Sequence, residues 1–136
     1  IPRQDSQQEV YNIMSQVDCG VFPSRAEGWN LELLEMMACG KHVIATDYSG
    51  HTEFCNKENA RLVEVSELED AKDGIWFHGQ GQWAHIGDKE IDQIAEHMRE
   101  IHKLKQEDEL NINQAGIDTS KEYSWDNTVA KILEAV

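Results

Sequence analysis

The spacing of short apolar runs constrains the fold of this chain more than any other feature. Residues 18–22, 42–46 and 61–65 are brief apolar segments bounded by Gly, Pro or polar residues, so each predicts a buried strand. Between the first two runs, residues 31–38 carry apolar side chains at every third or fourth position, which predicts a helix ending at Gly40. Strands that alternate with helices predict an α/β fold with an open parallel sheet and helices on both faces.

The flanking segments extend this pattern. A capping-box sequence at residues 6–9 predicts a helix over 7–15, and the apolar spacing after Asp88 predicts one over 88–106. The third strand alternates in polarity, so we place it near a sheet edge. Residues 66–87 are compatible with a hairpin or a long ordered loop. A further helix is predicted between residues 107 and 115. A terminal helix opened by Ser124-Trp125 is expected to bury Val129, Ile132, Leu133 and Val136.

Charge and composition exclude several classes of function. The formal charge is −14, from 12 Lys and Arg against 26 Asp and Glu, so the surface repels nucleic acids and anionic lipid. No apolar run reaches the roughly 20 residues that span a bilayer. Three cysteines without C-x-x-C spacing, and histidines without a metal motif, argue against a disulfide framework and a metal site. A reduced, cytoplasmic setting is expected.

The chemistry is expected at the junction between the first strand and the helix that follows. In open α/β sheets this position lies at a carboxyl end of the sheet, where ligands bind. Glu27 is expected in that crevice, beside the free N–H groups of a helix start, and Gly28 lets a ligand approach the backbone. Glu35 lies one turn into the helix, where its two oxygens suit the neighbouring hydroxyls of a ribose. On spacing alone, both acids would be ordinary solvated surface residues.

An ordered series of motifs resembles the donor-site signature of retaining glycosyltransferases of family 4, which have the GT-B fold. The strong match covers residues 18–54, and a weaker one covers 121–136. The matching residues are Pro23-Ser24, Glu27-Gly28-Trp29-Asn30, Glu35-Met36-Met37-Ala38-Cys39-Gly40, Val43-Ile44-Ala45-Thr46, Ser49-Gly50-His51-Thr52-Glu53 and Tyr123-Ser124-Trp125-Asp126.

The resemblance implies a Rossmann-like donor domain and a role for each site residue. Glu27 would contact the transferred sugar as the catalytic residue, and Glu35 would hold the ribose hydroxyls. The donor-binding set would also include Ser24 and the backbone N–H groups of Gly28, Trp29, Asn30 and Leu31. The donor would be a nucleotide diphosphate sugar, with no cofactor and no metal. The acceptor would be a carbohydrate, lipid or protein hydroxyl, and the sugar would keep its anomeric configuration.

Departures from the family pattern concern both the pocket and the extent of the chain. Trp29 and Asn30 replace the usual Phe and Gly, so we expect a differently shaped sugar pocket. The family's glycine-rich loop and its basic diphosphate ligands lie upstream of the first helix and are missing here. We therefore interpret residues 1–136 as part of a nucleotide-sugar-binding domain, cut from a longer protein that also holds the acceptor domain. A processed natural N-terminus is the alternative. The isolated chain is predicted to be inactive.

Several residues have two readings from the sequence. Arg25 either reaches a phosphate or lies on the surface, and Glu53 either belongs to the site or favours a helix dipole. Trp76 and Trp83 either form a stacking platform for a sugar or pack in the core or a lid. The alternatives for the whole protein are a GT-B sugar-nucleotide epimerase or phosphorylase, and a non-catalytic binding or assembly domain.

Overall fold

In the computed structural model, which describes residues 3–135, the three predicted apolar runs form one parallel sheet. Strand β1 (Cys19–Phe22) pairs with β2 (His42–Thr46), and β2 pairs with β3 (Arg61–Val63). The third strand lies at a sheet edge, as predicted, and ends two residues earlier than expected. Because all three strands run in parallel, their carboxyl ends meet at one edge of the sheet.

Five α-helices accompany this sheet in the described residues. Those predicted over 7–15 and 88–106 are confirmed, and the capping box between Ser6 and Glu9 opens the first. The terminal helix is also confirmed. Its start is capped by the Ser124 hydroxyl, which accepts a hydrogen bond from the Asn127 N–H. The helices are α1 (Gln7–Ser15), α2 (Leu31–Ala38), α3 (Asp88–Gln106), α4 (Gln114–Glu122) and α5 (Trp125–Glu134).

The core lies on both faces of the sheet because the side chains of β2 alternate. Val43 and Ala45 pack with the buried residues of α2, whereas Ile44 packs with Ile101 of α3. At the end of α2, Gly40 adopts φ +70, the left-handed conformation expected of a glycine cap. The predicted α/β class with helices on both faces is confirmed.

The helix predicted between residues 107 and 115 is wrong, because a loop fills most of that segment and α4 begins only at Gln114. The buried Asn113 side chain sets this boundary. It donates to the carbonyls of Lys41 and Asn59, at 3.2 and 2.8 Å, and accepts from the Gly116 N–H at 3.0 Å. These bonds fix the loop to the end of α2 and start the next helix one residue later.

The prediction that α5 buries its apolar stripe is also wrong. Trp125 and Leu133 are 82% and 72% exposed, and Val129 and Ile132 are exposed as well. Val136 lies outside the described residues. Periodicity identifies the apolar face of a helix but not a partner for it, and no other described segment covers this face. No helix within residues 3–135 is both long and apolar enough to cross a membrane.

Residues 66–87 form a hairpin, which was one of the two predicted outcomes. Strands β4 (Leu68–Lys72) and β5 (His78–Ala84) pair antiparallel in a sheet of their own. At the tip, one carboxylate oxygen of Asp73 accepts hydrogen bonds from three backbone N–H groups, at 2.8 to 2.9 Å, which lowers the pKa of Asp73. The hairpin is therefore an ordered element outside the parallel sheet.

Candidate functional site

The segment between β1 and α2, residues 23–30, contains the predicted catalytic acid and is here called the Glu27 loop. Its inner side is tied to the end of β2 and the following turn. The Thr46 hydroxyl donates to the Ser24 carbonyl at 2.6 Å. The Glu27 N–H donates to the Ser49 hydroxyl at 2.8 Å, and the Gly50 N–H donates to the Glu27 carbonyl at 3.1 Å. The loop conformation is thus set by the neighbouring strand.

Two glycines show how differently the two sides of this loop are filled. A Cβ added at Gly50 would lie 2.1 Å from the Gly28 carbonyl oxygen, a distance that no folded backbone tolerates. A Cβ added at Gly28 would meet nothing within 4 Å. The inner side of the loop is therefore in van der Waals contact with the turn, whereas the outer side at Gly28 is open to an approaching ligand.

The Glu27 carboxylate is exposed and oriented by a neighbour in the same loop. The Ser24 hydroxyl donates to Glu27 Oε1 at 2.8 Å. The other oxygen, Oε2, accepts no hydrogen bond from residues 3–135. The structure thus brings together two of the residues that the sequence placed in the site, and it leaves one carboxylate oxygen available to a ligand.

Asn30 shapes the start of α2 and accounts for one departure from the family pattern. It is buried and adopts φ 70 and ψ 69, and its side chain accepts a hydrogen bond from the Leu33 N–H at 3.2 Å. Asparagine is one of the few residues besides glycine that tolerate this left-handed conformation, so Asn30 keeps the backbone that a glycine would adopt. Its side chain adds a helix cap that glycine lacks.

A row of backbone donors stands free next to Glu27. The N–H groups of Gly28, Trp29, Asn30 and Leu31 donate no hydrogen bond to any of the residues that the structure describes. Such unpaired N–H groups at a helix start carry partial positive charge and bind anions and hydroxyl oxygens. These are the four N–H groups that the resemblance assigned to the donor.

Side chains of the same segment serve the fold. The Trp29 ring packs against Phe54 and Tyr123, with ring centroids 5.2 and 5.3 Å apart, and joins the core next to α2. Leu31, in contrast, is exposed. A tryptophan in place of the usual phenylalanine therefore changes the packing behind the loop, while its backbone N–H donates to none of the described residues.

Glu35 is half-buried and lies away from the cavity that Glu27 lines. It borders a cavity of about 520 Å³ with Trp29, Tyr123 and Trp125, and another of about 340 Å³ against α1. Glu27 borders a third cavity, of about 410 Å³, which shares no lining residue with the other two. Among the described residues the two acids therefore line separate cavities, with Glu35 beside α1 and α5. That both serve one donor site stays a prediction.

The hairpin docks on the Glu27 loop through Arg25. The Ala84 N–H donates to the Arg25 carbonyl at 2.8 Å, and Arg25 Nε donates to the Ala84 carbonyl at 3.2 Å. The guanidinium also pairs with Glu69 and lies 4.0 Å from the ring centroid of Trp83. Arg25 thus remains partly exposed, in line with one of the two alternatives from the sequence, but the hairpin engages its hydrogen bonds and its charge. Trp83 packs in this contact, whereas Trp76 is 81% exposed at the tip.

Sequence reasoning placed Thr46 and Ser49 in the matching motifs but assigned them no role, whereas in the structure they hold the Glu27 loop from the neighbouring strand and turn. A second signal for them was their position, because the carboxyl ends of adjacent parallel strands lie side by side. Apart from Trp83, for which a sugar platform was one of the two alternatives, it also missed the hairpin residues that line the Glu27 cavity, since no local pattern links residues 77–83 to residues 24–27. That contact is set by tertiary structure alone.

Cysteine nucleophiles do not contribute to this site. Burial raises the pKa of the Cys19 thiol to about 11 and that of Cys55 to about 12, so both remain protonated near neutral pH. Between residues 3 and 135, no three His, Cys, Asp or Glu side chains lie close enough together to hold a metal ion.

Comparison with known proteins identifies the segment that carries this geometry. A family model described as Glycosyl transferases group 1 matches residues 3–77, more than half of the chain. The match includes β1, the Glu27 loop, α2, β2 and β3. No curated protein matches the chain.

Proposed function

Because the chain belongs to the family Glycosyl transferases group 1, we propose that it carries part of the donor site of a retaining glycosyltransferase of family 4 with the GT-B fold. The proposed donor is a nucleotide diphosphate sugar. The proposed acceptor is a hydroxyl of a carbohydrate, lipid or protein, bound mainly by another domain of the whole protein.

The row of free N–H groups beside the Glu27 carboxylate carries this proposal. An anionic diphosphate and a neutral sugar need different partners, and the five residues from Glu27 to Leu31 present both kinds. Backbone N–H groups from Gly28 to Leu31 would bind the phosphate and sugar oxygens, and Glu27 would face the reacting carbon. Because the loop is fixed by Thr46, Ser49 and Gly50, these groups need little reorganisation when the donor binds.

The proposed chemistry relies on opposite charges that develop at the two ends of the breaking bond. As the sugar leaves the diphosphate, its ring carbon gains positive character, which a nearby carboxylate at Glu27 stabilises. The leaving diphosphate gains negative charge, which the N–H groups at the start of α2 stabilise. Ser24 orients Glu27 by donating to Oε1. Glu35 would fix the donor by accepting hydrogen bonds from the ribose hydroxyls.

The charge of the chain supports the proposal that other parts of a longer protein complete the site. The formal charge is −14, and Arg25, the basic side chain in the Glu27 loop, is engaged by the hairpin. Basic ligands for the diphosphate would therefore come from outside this chain. Two uncovered surfaces support the same interpretation, namely the second edge of β1, which pairs with no strand in residues 3–135, and the apolar face of α5. We propose that the chain alone does not catalyse sugar transfer. An assay of transfer by the isolated chain tests this directly.

The test is calorimetric titration of the full-length protein with uridine, guanosine and adenosine diphosphates. Glu35→Ala should weaken binding of the preferred nucleotide by about 1–3 kcal/mol, because it removes a charged acceptor of two hydroxyl donors. Glu96→Ala makes the same charge change on the exposed side of α3 and is the matched control, expected to bind as the wild type does. Equal binding by the Glu35→Ala variant and the wild type would contradict the proposed role of Glu35.

A further inference from the structure

We propose that the cavity between the Glu27 loop and the hairpin is a pyranose-binding subsite, whose selectivity is set by Phe77, Gln80 and Gln82. This inference rests on the proposed function, because it assigns the sugar side of the same site to the hairpin, which lies outside the donor-site motifs at residues 18–54. The pyranose belongs either to the donor or to the acceptor, and both present the same chemistry.

The cavity has the size and position that such a subsite requires. Its volume of about 410 Å³ falls in the range of small-ligand pockets and exceeds the space that one sugar ring needs. One side is formed by Ser24, Ala26 and Glu27, and the other by β5 and Phe77. Glu27 is the proposed catalytic residue, so a sugar ring in this cavity would lie next to the reacting centre.

Polar groups in the cavity have unused hydrogen-bonding capacity. Glu27 Oε2 and the Gln82 side-chain amide have no partner within residues 3–135. The Gln80 side chain accepts from the His78 N–H at 3.0 Å, which leaves its NH₂ group available. Together these groups offer a charged acceptor, a neutral acceptor and several donors. Sugar hydroxyls both donate and accept, and a mixed set of this kind discriminates between their orientations.

The cavity also contains an aromatic surface for the apolar face of a sugar ring. Phe77 lines it and is 49% exposed, and its ring packs edge-on against Trp83 at a centroid distance of 5.7 Å. Arg25 covers Trp83 at 4.0 Å, so Trp83 is held in place and supports Phe77. Gly81 adds no side chain, and a Cβ there would meet nothing within 4 Å, which keeps this side of the cavity open.

The subsite is preformed because the hairpin is attached to the site at several points. Besides the two hydrogen bonds between Arg25 and Ala84, the Tyr48 hydroxyl donates to the Gln82 carbonyl at 3.2 Å. Tyr48 lies in the turn that also holds the Glu27 loop. Both sides of the cavity therefore share one support, and binding a sugar requires little ordering of the backbone.

The test is nuclear magnetic resonance titration of the nitrogen-15-labelled protein with the methyl α-glycosides of glucose, galactose and mannose. We expect one glycoside to shift the signals of the hairpin, with a Kd between about 1 and 100 mM, as suits a small ligand. Phe77→Ala and Gln82→Ala should each weaken that binding about three- to tenfold. Trp76→Ala, which removes an exposed aromatic ring from the same hairpin but outside the cavity, should leave it unchanged.

The outcomes separate this inference from the proposed function. If no glycoside shifts the hairpin signals while nucleotide binding still depends on Glu35, the subsite is refuted and the donor site stands. If Trp76→Ala weakens binding as much as Phe77→Ala does, the cavity is not the site. Gln82→Ala removes an exposed side chain without a partner, so it provides a folded variant even if Phe77→Ala does not fold.

Two further titrations identify the source of the sugar. Should Phe77→Ala weaken binding of a nucleotide sugar but not of its nucleoside diphosphate, the cavity takes the donor's sugar. Should it weaken only the methyl glycoside, the cavity takes the acceptor. Either result supports the subsite, and an equal affinity of all variants for both probes overturns it.

Discussion

The Glu27 loop and the β4–β5 hairpin are neighbours in the site but are held in place by different means. The loop is fastened to the end of β2 by main-chain and hydroxyl contacts, and its glycine contact leaves no space between Gly50 and Gly28. The hairpin makes no strand pairing with the parallel sheet, and Gly74 and Gly81 both lie in open surroundings. The loop is built as part of the sheet, whereas the hairpin is attached to it.

Because of this difference, we expect the two regions to tolerate amino-acid substitutions to different degrees. Contacts within a close-packed support transmit small displacements, so a change beneath the loop should affect stability and donor binding together. Contacts at an exposed surface contribute little to stability, so a change in the hairpin should alter the site with little effect on the fold. Three substitutions test this contrast, in order of decreasing expected effect.

Gly50→Ala should have the largest effect, because its Cβ would overlap the Gly28 carbonyl. The backbone must move, and we expect a loss of about 3 kcal/mol in the free energy of unfolding, measured by urea denaturation. The control is Gly28→Ala on the other side of the same contact. It should change stability by less than about 1 kcal/mol, since a Cβ has free space there, and yet weaken donor binding. Similar stabilities of the two variants would contradict the asymmetry of the loop.

Glu90 should give a smaller, pH-dependent effect at the base of the hairpin. It accepts hydrogen bonds from the Ser66 N–H at 2.9 Å, the Ser66 hydroxyl at 2.7 Å and the Gly87 N–H at 3.0 Å. The bonds from Ser66 and the Gly87 N–H lower the pKa of Glu90 from 4.5 to about 2. Because the folded pKa lies below the unfolded one, this stabilisation is complete above pH 4.5 and is lost as the pH falls toward 2.

Thermal denaturation of the wild type and of Glu90→Gln over that pH window measures the contribution. We expect the two melting temperatures to converge as the pH falls, whereas Glu96→Gln should retain the wild-type pH dependence. Parallel curves for Glu90→Gln and the wild type would show that the carboxylate does not stabilise the base of the hairpin.

Arg25→Ala should have the smallest effect on global stability, about 1 kcal/mol or less, because its ion pair with Glu69 is partly exposed. Its local effect should be larger. Without the guanidinium over Trp83, the amides of β5 should exchange hydrogen faster. Arg25→Lys keeps the charge but loses the planar stacking and the bond from Nε, so it should not restore protection. Protection unchanged in the alanine variant would mean that the hairpin is held by other contacts.

Local patterns in the sequence predicted most of the fold. The capping box predicted the start of α1, the apolar periodicity predicted the full length of α3, and the apolar run over residues 42–46 predicted β2. The errors arose where tertiary contacts decide. Asn113 delays the start of α4 through bonds to residues distant in sequence, and the apolar face of α5 has no partner among the described residues. Neither fact is encoded in a local window.

The site was predictable only where it is local. The strand-loop-helix order predicted the position of Glu27 and of free N–H groups at the helix start, whereas Ser24 was named only through the family resemblance. Helical spacing predicts the direction in which a side chain leaves the helix, but the cavity that it lines depends on neighbouring elements. The separate cavities of Glu27 and Glu35 therefore did not follow from the sequence. The role of Arg25 was also hidden, because its partners Glu69, Trp83 and Ala84 are more than forty residues away.

The independence of the two sheets has a consequence for how such enzymes diversify. Since β4 and β5 share no hydrogen-bond ladder with the parallel strands, the tip at residues 73–77 can change in length, and the exposed side chains of β5 can be exchanged, without disturbing the register of β1, β2 and β3. Under the proposed pyranose subsite, substitutions in the hairpin would change the preference for one sugar over another while the residues at the start of α2 stay unchanged.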